Sequence, residues 1–595
     1  MNRLSDIRKW TPVILMLFIT GVSCTKLDVK TYSSIPSSTF WKTAAEISAG
    51  KAPAYANLPN VVGHSSPGYT CENASDEMVY PVRGSDWGDG GYWTEMFFHQ
   101  EDKNDLHGNM NGCWSPLFSG AGNCNFVIYT LNNLPSGTDV TLDADIAEMT
   151  GLRSWYYLKA MDMFGNIPYV TNFKVDPSTV TNIPRAAVFD SLEKDLIAAI
   201  PNLSPAVDAT TYGKVNKWTA FATLARMYLN SSVYTAGPNL PYQPGVRKDA
   251  ECIAMCDSII NNGPFSLESD YYDCFYGINN TSAENIFVVP FFDNSPTIQG
   301  NGLVQASIEF NSALTFGIPC CNYGNNGAST TTEFYKYFDT SSTYTNNVVQ
   351  INGRTVHQRL RTFNDQRAGQ YLIGQQFQGD GITNYPPYKN WVVDNDDVCC
   401  TYGDANQVAS EKATTKIGDY YNSIYTPTII YASMTEFNNP AATFRHAGLK
   451  NIKYWPQQGP NTNGGMGNAF VVFRLADIYL MRAEAEYYNG DLADALNDFN
   501  IVRMRAYSNN PAFNWTLADL TPANILAERG RELAWEDVRR SDLIRFEMNT
   551  GTRYYTGART YPPKPADAAD GHNMLYPIPL QQINTNKNLK QNPGY

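Results

Sequence analysis

The stretch FRLADIYLMRAEAEYYNGDLADALNDFNIVRMRA, residues 473–506, decides the fold class. Phe473, Ala476, Leu480, Ala483 and Tyr487 recur every three or four residues and lay one apolar stripe along a first helix. Gly490 takes the left-handed C′ conformation without a Cβ clash and ends that helix. Asp491 is placed to cap a second helix, whose inner face reads Leu492, Ala495, Leu496, Phe499 and Val502. Such a hairpin cannot bury its apolar face alone, so other hairpins must stack on it.

A small residue (Ala495) followed by a large one (Phe499) after the turn glycine is the spacing of a tetratricopeptide hairpin. The flanking chain supplies more helices. Residues 149–170 carry an amphipathic run stopped by Gly165, with Pro168 beyond it. Residues 184–203 form a helix opened by Pro184 and closed at Pro201, and 217–234 and 249–263 a further pair. Cys252 and Cys256, four apart, share a helix face as packed small residues. Residues 41–60 are helical, with Trp41, Ala44, Ile47 and Ala54 on one side, and 522–546 read as one strong helix. The tail, 575–595, is read as extended because of its prolines.

Two regions break the helical pattern. Residues 61–125 are rich in Gly, Asn, Asp and aromatics, with no helical spacing until about Trp114. A long aromatic loop in a helical protein is the best candidate for a binding surface. Residues 265–470 read as a large irregular insertion, with ENIFVVPFF (284–292) as a buried strand.

Composition narrows the function. The chain has 595 residues, only 17% charged, 13% aromatic with 38 Tyr, and a formal charge of −13. That charge argues against nucleic acid and anionic lipid headgroups as partners. Tyr, Trp, Asn and Gly suit neutral polar ligands, and sugars above all, because aromatic faces stack on pyranose C–H surfaces while amides satisfy hydroxyls. No HExxH, GxSxG or GxxxxGK motif calls for a cofactor or a catalytic site. Six His residues and no CxxC pair give no metal site.

Residues 1–23 read as a signal peptide: Arg3, Arg8 and Lys9 form a basic start, and Pro12 to Ile19 a short apolar core. That core falls far below the ~20 residues needed to span a bilayer. Gly21, Val22, Ser23 and Cys24 resemble a bacterial lipobox, which makes Cys24 the lipidated first residue, with residues 24–40 as a polar tether. Ordinary secretion with Cys24 as a plain thiol is the other reading. Ten further cysteines permit disulfides in an exported protein, Cys113–Cys124 first among them, and Cys320–Cys321 and Cys399–Cys400 are adjacent pairs that could cross-link the middle of the chain.

Taken together, FRLADIYLMRAEAEYYNGDLADALNDFNIVRMRA, AERGRELAWEDVRRSDLIRF (527–546) and LYPIPLQQINTNKNLKQNPGY (575–595) resemble, in order and spacing, the C-terminal part of the SusD/RagB-like lipoproteins of Bacteroidetes. LRSWYYLKAMDMFGNIPYV (152–170) with residues 184–203 resembles the N-terminal part, and ASDEMVYPVRGSDWGDGGYW (74–93) the loop of a glycan-utilisation branch. The resemblance implies a mainly α fold with four tetratricopeptide-like hairpins and a loop-rich part with a few short strands. It also implies a lipid anchor in the outer membrane facing the exterior, a role as binding protein, and a lid on a TonB-dependent SusC-like barrel that receives oligosaccharide or polysaccharide. By the same resemblance, the chain divides into an N-terminal part at 41–264 and a C-terminal part at 471–595, around the insertion. The acid cluster common after the lipidated cysteine in this phylum is here reduced to Asp28. RagB-type peptide uptake is the alternative cargo, and a secreted glycoside hydrolase the alternative class.

The ligand candidates follow. Trp87, flanked by Asp86 and Asp89 in a Gly-rich loop, either stacks on a sugar or plugs the loop onto the helices. Trp93 and Tyr92 are expected to split, one inward and one outward, and Tyr69 belongs to the same aromatic set. Arg83 and Asp76 either bond sugar hydroxyls or form a buried pair that stiffens the loop. Cys320, Cys321, Asn322 and Tyr323 form a polar-aromatic loop that, by the resemblance, completes the binding face. Glu528, Glu532 and Glu536 tempt a catalytic reading, but their spacing of four among Arg529, Arg531, Arg539 and Arg540 reads as ion pairing. Asp365 and Arg367 read as a structural turn pair.

Overall fold

The computed structural model describes residues 40–63, 66–83, 86–134, 142–277, 279–291, 301–308, 325, 327–351, 354–372, 391–392, 438–439, 449–455, 467–560 and 563–595. The signal peptide, Cys24, Cys320, Cys321, Asn322, Tyr323, Cys399 and Cys400 lie outside them. Residues up to Gly50, with Leu134, belong to a small unit, and the rest to a large one. In the small unit Thr43 and Glu46 form a capping box at the start of α1 (Ala44–Ala56): the Glu46 carboxylate accepts the Lys42 and Thr43 amides at 2.8 and 3.1 Å.

The large unit is mainly helical. Leaving shorter turns aside, its helices are α2 (Pro67–Asn73), α3 (Tyr92–Phe97), α4 (Asn109–Asn132), α5 (Leu142–Phe164), α6 (Arg185–Ala199), α7 (Lys217–Leu229), α8 (Asp249–Asn262), α9 (Leu475–Asn489), α10 (Leu492–Ala506), α11 (Pro522–Leu533), α12 (Arg539–Thr550) and α13 (Leu580–Thr585). α4 packs on α5, α5 on α6, α7 on α8, α8 on α9, and α9 on α10. Gly165, at φ 66°, stops α5 where the sequence places it. Cys252 and Cys256 are both fully buried.

The α4–α5 contact is tight at one point. Gly120 faces the ring of Tyr156, whose hydroxyl donates to Ala54 O at 2.8 Å, and a Cβ at 120 would fall 2.3 Å from that ring. Gly120→Ala is therefore expected to destabilise the protein by about 1–3 kcal/mol, as read from the midpoint of chemical denaturation. An unchanged midpoint would mean that the two helices slide apart freely.

The deciding hairpin forms, with two differences. Phe473 belongs to a strand, and Leu492 is 42% exposed, so the inner face of α10 begins at Ala495 and runs through Phe499 and Val502. Gly490 is left-handed (φ 96°), but Asp491 makes no cap; its carboxylate accepts the Asn489 amide at 2.6 Å.

Other expectations are corrected. Residues 61–125 are not one loop: they hold α2, α3 and the start of α4, whose first turn is anchored by Asp105 accepting the Met110 and Asn111 amides (2.8 and 2.7 Å). Cys113 and Cys124 are free thiols eleven residues apart on α4. Their rise along the axis, about 16 Å, far exceeds disulfide reach. The stretch 522–546 is two helices, since Trp535 and Asp537 are left-handed (φ 60° and 59°) and break it. The tail contains α13, begun after Pro579, which fits a helix start although it could not sit inside one.

Among the described residues strands are few and most are short. They are β1 (Met78–Val79), β2 (Val82–Arg83), β3 (Asn285–Val289), β4 (Ser329–Thr330), β5 (Ser342–Ile351), β6 (Arg354–Phe363), β7 (Asn438–Asn439) and β8 (Phe470–Arg474), with a few two-residue pairings besides. The expected strand at 284–292 is β3, paired antiparallel with β8 in front of α9. β5 and β6 form a ten-residue antiparallel hairpin inside the region read as irregular.

Where β8 meets α9 lies a buried ionic cage. Arg474 reaches Glu284 (2.9 Å), Glu532 (2.6 Å) and Glu536 (2.8 Å). Arg367 binds Asp365 (2.8 Å), Glu528 (2.8 Å) and Glu532 (3.0 Å), while Arg503 and Arg531 also hold Glu528 and Arg505 holds Glu284 and Glu532. The three glutamates are thus ion-pair partners. The Asp365–Arg367 turn pair forms as read, and through Arg367 it extends into the cage and joins the insertion to α11. Intrahelical and tertiary ion pairs both form, as read: Arg531 pairs with Glu528 within the helix, and most of the glutamates' other counter-ions come from distant segments.

Candidate functional site

The segment that follows α2 carries the candidate site. Asp76 ends in a two-pronged ion pair with Arg539 of α12 (2.7 and 2.8 Å), and its carbonyl accepts the Thr331 hydroxyl. β1 then pairs antiparallel with β4, and β2 runs parallel to β7. These pairings draw residues 325, 327–331 and 438–439 of the insertion against the loop.

Trp87 sits beyond β2 at φ 62°, a left-handed position that a neighbouring glycine (Gly88) and the left-handed Gly90 and Gly91 help the chain to turn through. Its indole is half-buried. Nε1 donates to Asn325 O at 2.8 Å, and the ring lies so close over Gly327 that a Cβ there would fall 2.6 Å from it. Asn325, Gly327 and Ala328 are held by backbone hydrogen bonds to Gln305 and Ala306 in the short helix Leu303–Ser307. Behind the indole, Tyr80 and Trp93 stack at 3.9 Å between ring centroids and 14° between planes, and both meet Trp87 at 5.2–5.7 Å. Asp89 accepts the Trp93 Nε1–H at 2.9 Å. The result is one partly exposed indole on a rigid aromatic base.

The sequence candidates among the described residues have these places. Trp87 presents its ring at the surface and Asp86 beside it is half-buried. Tyr69 and Trp93, at 2% and 6% exposure, form the base rather than the face, and Tyr92 is the more exposed of the Tyr92–Trp93 pair. A buried ring cannot stack on a ligand, so direct contact from Tyr69 or Trp93 is replaced by support. Asp76 is paired with Arg539, and the Arg83 backbone lies in β2. Cys320 to Tyr323 are outside the described residues, but Asn325, two positions on, is the Trp87 acceptor.

Sequence reasoning misses Tyr80, Asn325, Gly327 and Arg539. Tyr80 is readable in principle, as the aromatic between two short β-prone pairs. The other three join the site only through tertiary pairing.

A sequence profile of the SusD family matches residues 284–595, more than half of the chain. The chain belongs to the SusD family. A second profile, described as starch-binding associating with outer membrane, matches residues 27–229. Among curated relatives, the starch-binding protein SusD of Bacteroides thetaiotaomicron is 38% identical over 124 residues, 21% of this chain and 21% of that protein, so the match spans about a fifth of its length. SusD-like protein P2 of Formosa agariphila is 22% identical over 99% of this chain and 100% of its own. Solved structures share the SusD fold: surface glycan-binding protein A from Bacteroides thetaiotaomicron (TM-score 0.65, 18% identity, 93% of this chain and 100% of that one) and a SusD superfamily protein from Parabacteroides distasonis (0.64, 18%, 93% and 99%). A laminarin-binding SusD-like protein aligns similarly (0.63, 20%, 93% and 100%).

Proposed function

We propose that this protein is a glycan-binding lipoprotein of the outer membrane that captures oligosaccharide or polysaccharide at the cell exterior. Trp87 is its central contact, with Asp86 and the 320–323 loop completing the face. It passes the captured glycan, as a hinged lid, to a TonB-dependent SusC-like transporter, and is anchored through Cys24.

The observation that carries this reading is the partly exposed Trp87, its indole held at one edge by Asn325 and backed by the Tyr80–Trp93 stack. A fixed aromatic face loses little freedom on binding and suits the apolar face of a sugar ring. Family membership supports the same class of ligand: one relative of this fold is described in complex with laminarihexaose, and the N-terminal profile is described by starch binding and outer-membrane association. Arg83 and Asp76 frame the loop, Asp76 by fixing it to Arg539 rather than by offering a free carboxylate.

The hydrolase alternative draws no support from Glu528, Glu532 and Glu536, which are engaged by arginines in the cage instead of facing a cleft. Native gels cast with individual soluble polysaccharides test the ligand class. Retarded migration in one of them, without release of reducing ends, is expected; release of reducing sugar would overturn the binding-only role. Co-purification from membranes with a large β-barrel tests the lid, and recovery always as a lone protein would count against it.

A further inference from the structure

Two buried glutamates tie the binding loop to the break between α11 and α12. Glu72, on α2, is 3% exposed and accepts the Asp537 amide; Glu77, just before β1, is 0% exposed and accepts the Trp535 amide at 2.8 Å. Trp535 and Asp537 are the two left-handed residues of the break, a strained conformation for residues other than glycine. Their amides have therefore been turned out of helical register toward these carboxyls. The second oxygen of each carboxyl, Glu72 Oε2 and Glu77 Oε2, is buried with no donor to accept from, and the two groups lie beside each other, an arrangement that a proton held between them satisfies.

Among the described residues, the nearby cations are already engaged and do not take that proton's place. Arg539 faces Glu77 but is held by Asp76 in two hydrogen bonds, and Lys159 of α5 is held by Asp537 at 2.7 Å. Asp537 and Asp76 themselves add negative charge beside the pair, and the hydroxyls of Tyr69 and Tyr371 are further titratable neighbours. Two carboxylates at this depth with no cation of their own cannot both be ionised cheaply.

We propose that Glu72 and Glu77 share one proton and act as a positioning clamp, which holds the loop bearing Trp87 against the 534–538 break and releases it when that proton leaves. The clamp reaches the site by two short routes. Tyr69, one turn before Glu72 on α2, meets Tyr80 at 6.2 Å, and Tyr80 backs Trp87. Glu77 leads directly into β1, whose partner strand β4 adjoins Gly327 beneath the indole.

The direction of the pH response follows. Burial raises the Glu72 carboxyl well above its usual range, and Glu77 beside it adds to the rise; burial raises Glu77 too, against the pull of its Glu72 hydrogen bond and of Arg539. The folded state thus keeps a proton that the unfolded chain gives up near the ordinary glutamate range. The clamp is at full strength below that range and weakens as pH rises through the ionisation of the pair. For the site, this regulation rests on the Trp87 reading; the clamp itself does not.

Hydrogen exchange, followed by mass spectrometry on peptides from 67–80 and 533–540, tests it without any glycan. Rates at pH 6 and pH 9 are compared after correction for the intrinsic pH dependence of exchange. The wild-type protein should lose protection several-fold at pH 9 in both peptides together. Glu72→Gln should not, because its amide oxygen still accepts from Asp537 and its N–H replaces the shared proton. Glu77→Gln serves in the same way should the first variant fail to fold. Equal wild-type protection at both pH values, or the same loss in the glutamine variant, would overturn the clamp. A failed glycan titration would leave this result untouched.

Discussion

Replacing Arg474 with alanine is expected to destabilise the protein by about 3–5 kcal/mol, the range for breaking a buried ion network from one side. Arg474 is fully buried and bonds Glu284, Glu532 and Glu536 while donating to Glu532 O at 2.7 Å. Its loss leaves three desolvated carboxylates short of charge at the junction of β8, α9 and α11. The network also sets an acid limit. Burial by itself would raise the Glu532 carboxyl, but Arg505, Arg474 and Arg367 together outweigh it and hold the group at about 2. A depressed acid stabilises the fold above its unfolded value, near 4.3, and that contribution disappears as pH falls toward 2. Denaturant titration at pH 7 and at pH 3 checks both points. An Arg474→Ala loss below about 1 kcal/mol would mean that the cage is solvated or redundant.

Trp87→Ala is expected to weaken glycan binding by at least about tenfold, the scale of about 1.4 kcal/mol or more for a central aromatic anchor. Its thermal midpoint should stay close to wild type, since the indole is only half-buried and the Tyr80–Trp93 stack beneath it persists. Gly327→Val approaches the same site from below. With no room for a Cβ within 2.6 Å of the ring, it should tilt Trp87 off its Asn325 hydrogen bond and weaken binding while all exposed groups remain. Full affinity in both variants would move the site to another face.

The sequence made the helical part legible because its signals are local. Apolar spacing located α5, α6, α9 and α10, and Gly165 and Gly490 marked ends that need only one residue to form. What escaped depends on distant partners. The run 522–546 has unbroken helical character, and nothing within it announces that Glu72 and Glu77, far earlier in the chain, will hold two amides out of register. The same holds for the cage, in which Glu528 and Glu532 find Arg367, Arg474, Arg503 and Arg505, all of them from other segments than their own helix. α4 was obscured by its Gly- and Asn-rich start and by Pro116 within it. In the site, Trp87 stood out because an indole among glycines has few packing partners nearby. Asn325 and Gly327 carry no signal until β1 and β4 pair.

The most direct measurement is isothermal titration calorimetry of the protein, and of Trp87→Ala beside it, against a panel of plant, fungal and host glycans. Saturable heat with one glycan that disappears in Trp87→Ala is the expected result. Saturable heat that is the same in both proteins would contradict Trp87 as the capturing surface, and a folded protein silent to every glycan but titrated by peptides would contradict the glycan itself.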